Sequence, residues 1–229
     1  MYVEKPLGLS LDQAKLLRRE IADHDCIFQY GTQQRSGAAA RLAMELVWNG
    51  HVGEIERVDV CAPHLDPDKR MKCREEPVPE GFNYDLWLGP APKKPYCTAR
   101  CETESSWHCY DYALGFIAGW VCYSRGVCYL HRGGNYVNTR TIDRSGDTRK
   151  AYVSASQHGN FIDCMKSRQP TINPLESAIR SDTISHLGNI AARTGRKLNY
   201  DPQRERITGD EAANAMLNRP AREGYGVAG

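Results

Sequence analysis

Lys5 stands where an apolar strand stops: Tyr2-Val3-Glu4-Lys5-Pro6-Leu7-Gly8 reads as a short strand that turns before a helix. A cation at that point lies on the sheet edge where α/β proteins bind their ligands. Arg35 closes the run Gln33-Gln34-Arg35 just past a second strand. A guanidinium there can hold hydroxyl or carboxylate oxygens with two donors at once, although a surface arginine would look the same. Trp107, Tyr110, Asp111 and Tyr112 form a denser group. Aromatic faces stack on sugar rings and a carboxylate accepts hydroxyl protons, but the same residues would equally make a core corner around one satisfied aspartate.

The elements that must carry these side chains follow from local patterning. Ser10 opens a Ser-x-x-Gln capping box with Gln13, and Leu11, Ala14, Leu17 and Ile21 recur as one apolar helix face. Cys26 to Tyr30 is then a compact apolar run that stops at Gly31, as a buried strand parallel to the first would. This is one βαβ crossover. Ala39, Leu42, Ala43, Leu46 and Val47 mark a second helix face ending at Asn49-Gly50, and Val58, Val60 and Ala62 alternate as the first strand of another sheet. From Pro63 to Thr103, seven prolines forbid long helices. Further on, His158, Phe161, Ile162 and Met165 predict a short helix. Asn173 as N-cap, Pro174 at the first helical position and Glu176 predict a longer one, with Leu175, Ile179, Thr183, Leu187, Ile190 and Ala191 on its apolar face, that Gly195 closes. Leu198-Asn199-Tyr200 predicts a strand, and Thr208 with Glu211 the cap of a last helix before Pro220.

Val-Glu-Lys-Pro-Leu, followed by a helix and a strand ending in Tyr-Gly-Thr-Gln-Gln-Arg, resembles the junction between the dinucleotide-binding and substrate domains of Gfo/Idh/MocA oxidoreductases. Trp87-Leu88-Gly89-Pro90-Ala91-Pro92, Tyr110-Asp111-Tyr112, Gly115 and Gly119-Trp120 resemble the sugar-oxidising branch of that family. The resemblance implies an α/β (α+β) chain: residues 1–35 as the last βαβ unit of a Rossmann-like NAD(P)-binding domain, and residues 36–229 as a partial substrate and oligomerisation domain. It implies dehydrogenation of a sugar or polyol with NAD or NADP. Lys5 is then the catalytic residue beside the nicotinamide and the reacting hydroxyl. Glu4, Lys5 and Pro6 are the cofactor-side residues, with Glu4 and Pro6 shaping the turn. Arg35, Trp107, Tyr110, Asp111 and Tyr112 are the substrate-side residues. The helix at 174 to 194 is expected to pack back on the dinucleotide-binding domain.

The chain departs from that pattern at two places. After Gly119-Trp120 it runs directly into Val121-Cys122-Tyr123-Ser124-Arg125-Gly126, where relatives carry a Gly-x-His-x-x-Asp helix with the usual acid/base histidine. An internal deletion near residue 120 is the expectation, and His108, His131, His158 and His186 do not replace that histidine by motif. No Gly-x-Gly-x-x-Gly turn is found in the 229 residues, so weak dinucleotide binding is expected. The chain is expected to be a truncated member of the family with impaired or no activity. A non-catalytic binding or oligomerisation module and a relative of the NAD-dependent glycosidases are the alternative readings.

Composition sets wider bounds. A hydrophobic content of 41% can bury a real core, and 30 basic against 28 acidic residues give +2, which makes no electrostatic case for nucleic acid or an anionic membrane. No apolar run approaches the roughly 18 residues of a spanning helix, and the start lacks a signal-peptide pattern, so a cytoplasmic protein is expected. Nine cysteines without a Cys-x-x-Cys pair point to free thiols rather than a metal site. A sugar or polyol and a second copy of the chain are the expected partners.

Overall fold

A computed structural model of the chain describes residues 1–55, 57–61, 73–102, 106–115, 117, 127–131 and 142–225. The expected deletion near 120, Gly119-Trp120 and the prolines at 63 and 67 lie outside them. β1 (Tyr2–Val3) leads through a turn containing a cis Lys5-Pro6 bond into α1 (Leu11–Asp23), and β2 (Gln29–Tyr30) returns parallel to β1. Register pairs Tyr2 with Gln29 and Val3 with Tyr30. The expected crossover therefore forms, although its second strand is shorter than the Cys26 to Tyr30 run. Ser10 Oγ accepts from the Gln13 amide at 3.3 Å, while Gln13 Oε1 reaches back to the Leu9 amide at 2.9 Å rather than to Ser10.

A single turn at Gln33–Ser36 precedes α2 (Ala38–Trp48), and β3 (Arg57–Cys61) pairs antiparallel with β4 (Val127–His131). Between them, α3 (Tyr84–Leu88) and α4 (Thr98–Cys101) are short, as the prolines require. The last third comprises α5 (Gln157–Ser167), α6 (Leu175–Thr194), an antiparallel pair of β5 (Asn199–Asp201) with β6 (Arg206–Thr208), and α7 (Glu211–Ala215).

A continuous hydrophobic cluster lies where the β1–α1–β2 unit meets α6. Leu7, Leu11, Ala14, Phe28 and Tyr30 pack with Leu175, Ala178, Ile179 and Ile190 of α6 and with Ile207, Ala213 and Leu217. α6 thus lies on α1 and β2. Its apolar face was visible in the sequence, but the buried side also holds Asp182, Ser185 and His186.

Several local expectations give way to tertiary contacts. Asn173 does not cap α6: it is fully buried, its Nδ2 donates to Thr32 Oγ1 at 2.5 Å, and Pro174 stands at the cap position in extended backbone. Glu176 is engaged across the chain by Arg18 at 2.6 Å instead of closing a capping box. Asp210, not Thr208, caps α7, because Thr208 is the final residue of β6. In α2 the buried positions are Glu45 and Leu46, and Ala39 and Ala43 face outward. In α5 the buried positions are Gln157 and Cys164, whereas Ile162 and Met165 are exposed. Cys73 and Cys97 form a disulfide, which corrects the expectation of free thiols at those two positions. Folding joins them across a loop pinned by Glu76 N to Tyr96 O at 3.0 Å and Thr98 Oγ1 to Glu76 at 2.6 Å, a juxtaposition that spacing does not encode.

Arg18 ties α1 to Glu176 of α6 and to Glu205 of the β5–β6 turn, each at 2.6 Å. The Arg18 guanidinium holds the Glu205 carboxyl below its ordinary pKa. A depressed carboxylate pKa contributes stability that is present above the ordinary value, about 4.3, and is lost as pH falls through the folded value. The urea midpoint is therefore expected to fall between pH 6 and pH 3, and Arg18→Gln to remove part of that fall. An unaltered pH profile in Arg18→Gln would show that this junction contributes nothing.

Candidate functional site

Parallel pairing brings the carboxyl ends of β1 and β2 to one edge, and the Gly31 amide donates to the Val3 carbonyl at 2.8 Å. Glu4 and Lys5 leave β1 there beside Gly31 and Thr32, with Lys5 half-buried. The Glu4 carboxylate lies over Gly31 so closely that a Cβ at that glycine would stand 2.7 Å from it. Any side chain at 31 would displace Glu4. Gln33 Nε2 completes the arrangement, donating to Glu4 Oε1 at 3.0 Å and to the Tyr2 hydroxyl at 3.4 Å. His158 of α5 stacks on the Tyr2 ring at 5.2 Å, so this exposed histidine belongs to the same edge.

Behind the edge, buried polar groups fix its backbone. Gln157 donates to the Tyr30 carbonyl at 2.8 Å and accepts from Ser36 at 3.1 Å. The Tyr30 hydroxyl donates to Asp182 at 3.1 Å, and the other Asp182 oxygen meets His186 Nε2 at 3.1 Å. Gln157 and Asp182 were not singled out in the sequence, and Gln33 and Tyr30 were read there only as part of a run and the end of a strand. The two residues of each contact from Gln157 or Asp182 to Tyr30 stand more than 100 positions apart, so no local pattern could announce them.

Arg35 shares this end of the fold, and its guanidinium donates to Ser181 Oγ of α6 at 3.0 Å. The other substrate-side candidates separate. Trp107 packs edge-on against His108 with centroids 5.0 Å apart. Tyr112 turns inward, where its hydroxyl accepts from Arg100 at 3.0 Å and its ring meets Trp87 at 5.0 Å. Burial pushes the Tyr112 hydroxyl pKa up. Tyr110 and Asp111 remain together and line a cavity of about 460 Å³, in which Asp111 pairs with Lys94 at 2.5 Å. Lys5 and Arg35 are not among the residues lining it. The sheet edge and the Tyr110 cavity are therefore two places, where the sequence suggested one.

Dinucleotide binding at the sheet edge needs free backbone amides in a glycine turn that opens a helix. The turn before α1 is Glu4 to Ser10, and a Cβ on its one glycine, Gly8, would meet Gln13 at 3.0 Å. Glu4 fills the space over Gly31. The described residues thus supply a cation and an acid at this edge and do not form a pyrophosphate cradle.

One parallel strand pair crossed by α1, together with two antiparallel pairs and the remaining helices, is a mixed helix-and-sheet arrangement consistent with an α/β fold. Residues 68–130 and 145–227 match the family model for the Gfo/Idh/MocA "Oxidoreductase family, C-terminal alpha/beta domain". More than half of the chain is matched, and the chain belongs to the Gfo/Idh/MocA oxidoreductase family. Comparison with curated proteins finds no match.

Proposed function

We propose that this chain supplies the substrate-facing side of an NAD(P)-dependent oxidoreductase acting on a sugar or polyol, and that it binds the hydroxylated substrate rather than the dinucleotide. The observation that carries this reading is the placement of Lys5 with Glu4 at the carboxyl edge of β1 and β2, under the family match. An ammonium there is a point charge with three donors. It orients a substrate hydroxyl and stabilises the oxygen as its proton leaves. Gln33 holds the neighbouring Glu4 carboxylate at the same edge. Members of this family generally use NAD(P), which supplies the hydride chemistry when bound.

The competing reading, a module that binds without catalysis, is favoured by the absence of a glycine cradle among the described residues. Titration of NADH and NADPH into the chain, followed by nicotinamide fluorescence, separates the cofactor question. No saturation below millimolar concentration is expected, and micromolar binding would overturn the assignment of weak dinucleotide affinity. Saturation-transfer NMR with myo-inositol and glucitol tests the substrate side. Lys5→Met is expected to weaken polyol binding about tenfold, the worth of one charge-assisted hydrogen bond of about 1.5 kcal/mol. Equal transfer in Lys5→Met would remove Lys5 from the site.

A further inference from the structure

The chain after α7 runs as a strap along one side of the Tyr110 cavity, where Asn218 to Ala221 join the lining that Leu9, Met216 and the Pro90 to Pro92 turn supply elsewhere. The near end of the strap is fixed to the core. Leu217 is buried, and its carbonyl accepts from the Leu11 amide at 3.0 Å and the Asp12 amide at 3.4 Å. Arg219 Nη1 then donates to the Tyr110 carbonyl at 2.5 Å. The far end is held by one residue. Arg222 Nε donates to the Gly89 carbonyl at 2.6 Å, Nη1 to Asp85 Oδ1 at 2.6 Å and Nη2 to the Asp85 carbonyl at 2.8 Å. The Arg222 amide reaches the Pro90 carbonyl at 3.1 Å, and the Tyr225 ring lies 4.6 Å from the guanidinium. Arg222 thus joins two walls of the cavity, its own segment and the Pro90 to Pro92 turn.

A cation suits the carbonyl end of α3, because the last carbonyls of a helix have no partner further along the chain. Little else retains the strap. Pro220 has no amide to give, Gly224 stands at φ +84°, and among the described residues the Arg222 to Pro90 bond is the one backbone bond from 219–225 to another segment. Tyr225 is 37% exposed and the Asp85 side chain 59%, so neither a buried apolar anchor nor a dry ion pair holds this end. Segments with few buried contacts open locally at a fraction of the global stability. The cavity itself, about 460 Å³, lies in the size range of small-molecule pockets. Its acid, Asp111, pairs with Lys94, and its two arginines lie on Tyr110, which leaves mainly apolar side chains to meet a ligand. We propose that residues 218–225 are a gate on this cavity: Arg222 latches the gate to α3 and the Pro90 turn, and its release parts the two walls and admits a small apolar molecule. The gate stands apart from the polyol reading, because Lys5 does not line the cavity.

Hydrogen exchange of the full chain, followed by mass spectrometry, tests the latch, and stopped-flow fluorescence of N-phenyl-1-naphthylamine, a neutral apolar dye, tests the opening. Arg222→Met keeps the length of the side chain and removes its donors. In that variant the amides of 219–225 are expected to exchange about tenfold faster and the dye to enter about tenfold faster, while the amides of α1 and α6 keep the parent's protection. Met216→Trp, which fills the cavity, is expected to abolish the dye signal. Should Arg222→Met lose protection throughout the chain, Asp85→Asn replaces it and is expected to speed both strap exchange and dye entry about threefold. The proposal is overturned if the strap amides of the folded variant exchange at the parent rate or if the dye enters both chains equally fast. It is equally overturned if neither chain takes up the dye, or if the Met216→Trp chain still does.

Discussion

Asp182→Ala is expected to lower the stability of the chain by about 3 kcal/mol, since one buried acceptor then disappears from two buried groups at about 1–3 kcal/mol each. Asp182 is fully buried and joins the Tyr30 hydroxyl to His186, so it ties β2 to the middle of α6 beneath the sheet edge. At about 2–4 °C per kcal/mol for a chain of this size, the melting temperature should fall by about 6–12 °C. Tyr30→Phe keeps the ring in the core and removes one of the bonds, so about 1 kcal/mol is expected from it alone. The double variant should be less destabilised than the sum of the two, because both delete the same hydrogen bond. Strict additivity would mean that the Tyr30 and Asp182 groups are not coupled. A loss below about 0.5 kcal/mol for Asp182→Ala, the range of ordinary surface changes, would place Asp182 outside the buried network.

Ile179→Ala should be comparably damaging through a different cause. Ile179 is 1% exposed and belongs to the cluster in which α6 meets α1 and β2. Truncation removes buried carbons and leaves a void that helices pinned at both ends fill incompletely, at about 2–5 kcal/mol. Five residues on, Ile184 is 56% exposed on the outer face of the same helix, and Ile184→Ala should change stability by less than about 0.5 kcal/mol. Thermal melts of the two variants therefore read out which face of α6 is buried. Equal losses would contradict the packing of this helix against the βαβ crossover.

These two positions differ in what announced them. Ile179 was legible from the four-residue spacing of Leu175, Ile179 and Thr183, because a helix buries one stripe and the stripe has a period. Asp182 carries no such signal: an aspartate on a helix is ordinarily solvated, and its burial depends on a tyrosine 152 residues away. α2 shows the same limit. Its apolar residues predicted the helix and its stop at Asn49-Gly50, yet Glu45 rather than Ala39 or Ala43 is buried. Arg144, from a distant segment, pairs with the Glu45 carboxylate and makes that burial tolerable.

By itself the sequence determined the elements whose causes lie within a few residues. The Ser10 cap, the Gly195 stop with its φ of +64° and the short helices of the proline-rich stretch rest on contacts or steric limits inside one turn, and the β1–α1–β2 crossover on patterns within one stretch of thirty residues. It also placed Lys5 at a strand end, and its motifs pointed to the family that residues 68–130 and 145–227 match. Tertiary structure alone decided which polar side chains are buried, that Asn173 serves Thr32 instead of the helix start, and that Cys73 meets Cys97. It also divided the single expected substrate cluster into an inward Tyr112 and a cavity-facing Tyr110 with two arginines. The reason is range: caps and periodicity act over three or four residues, whereas a ring's neighbours are fixed only when segments 80 to 110 residues apart in sequence pack together.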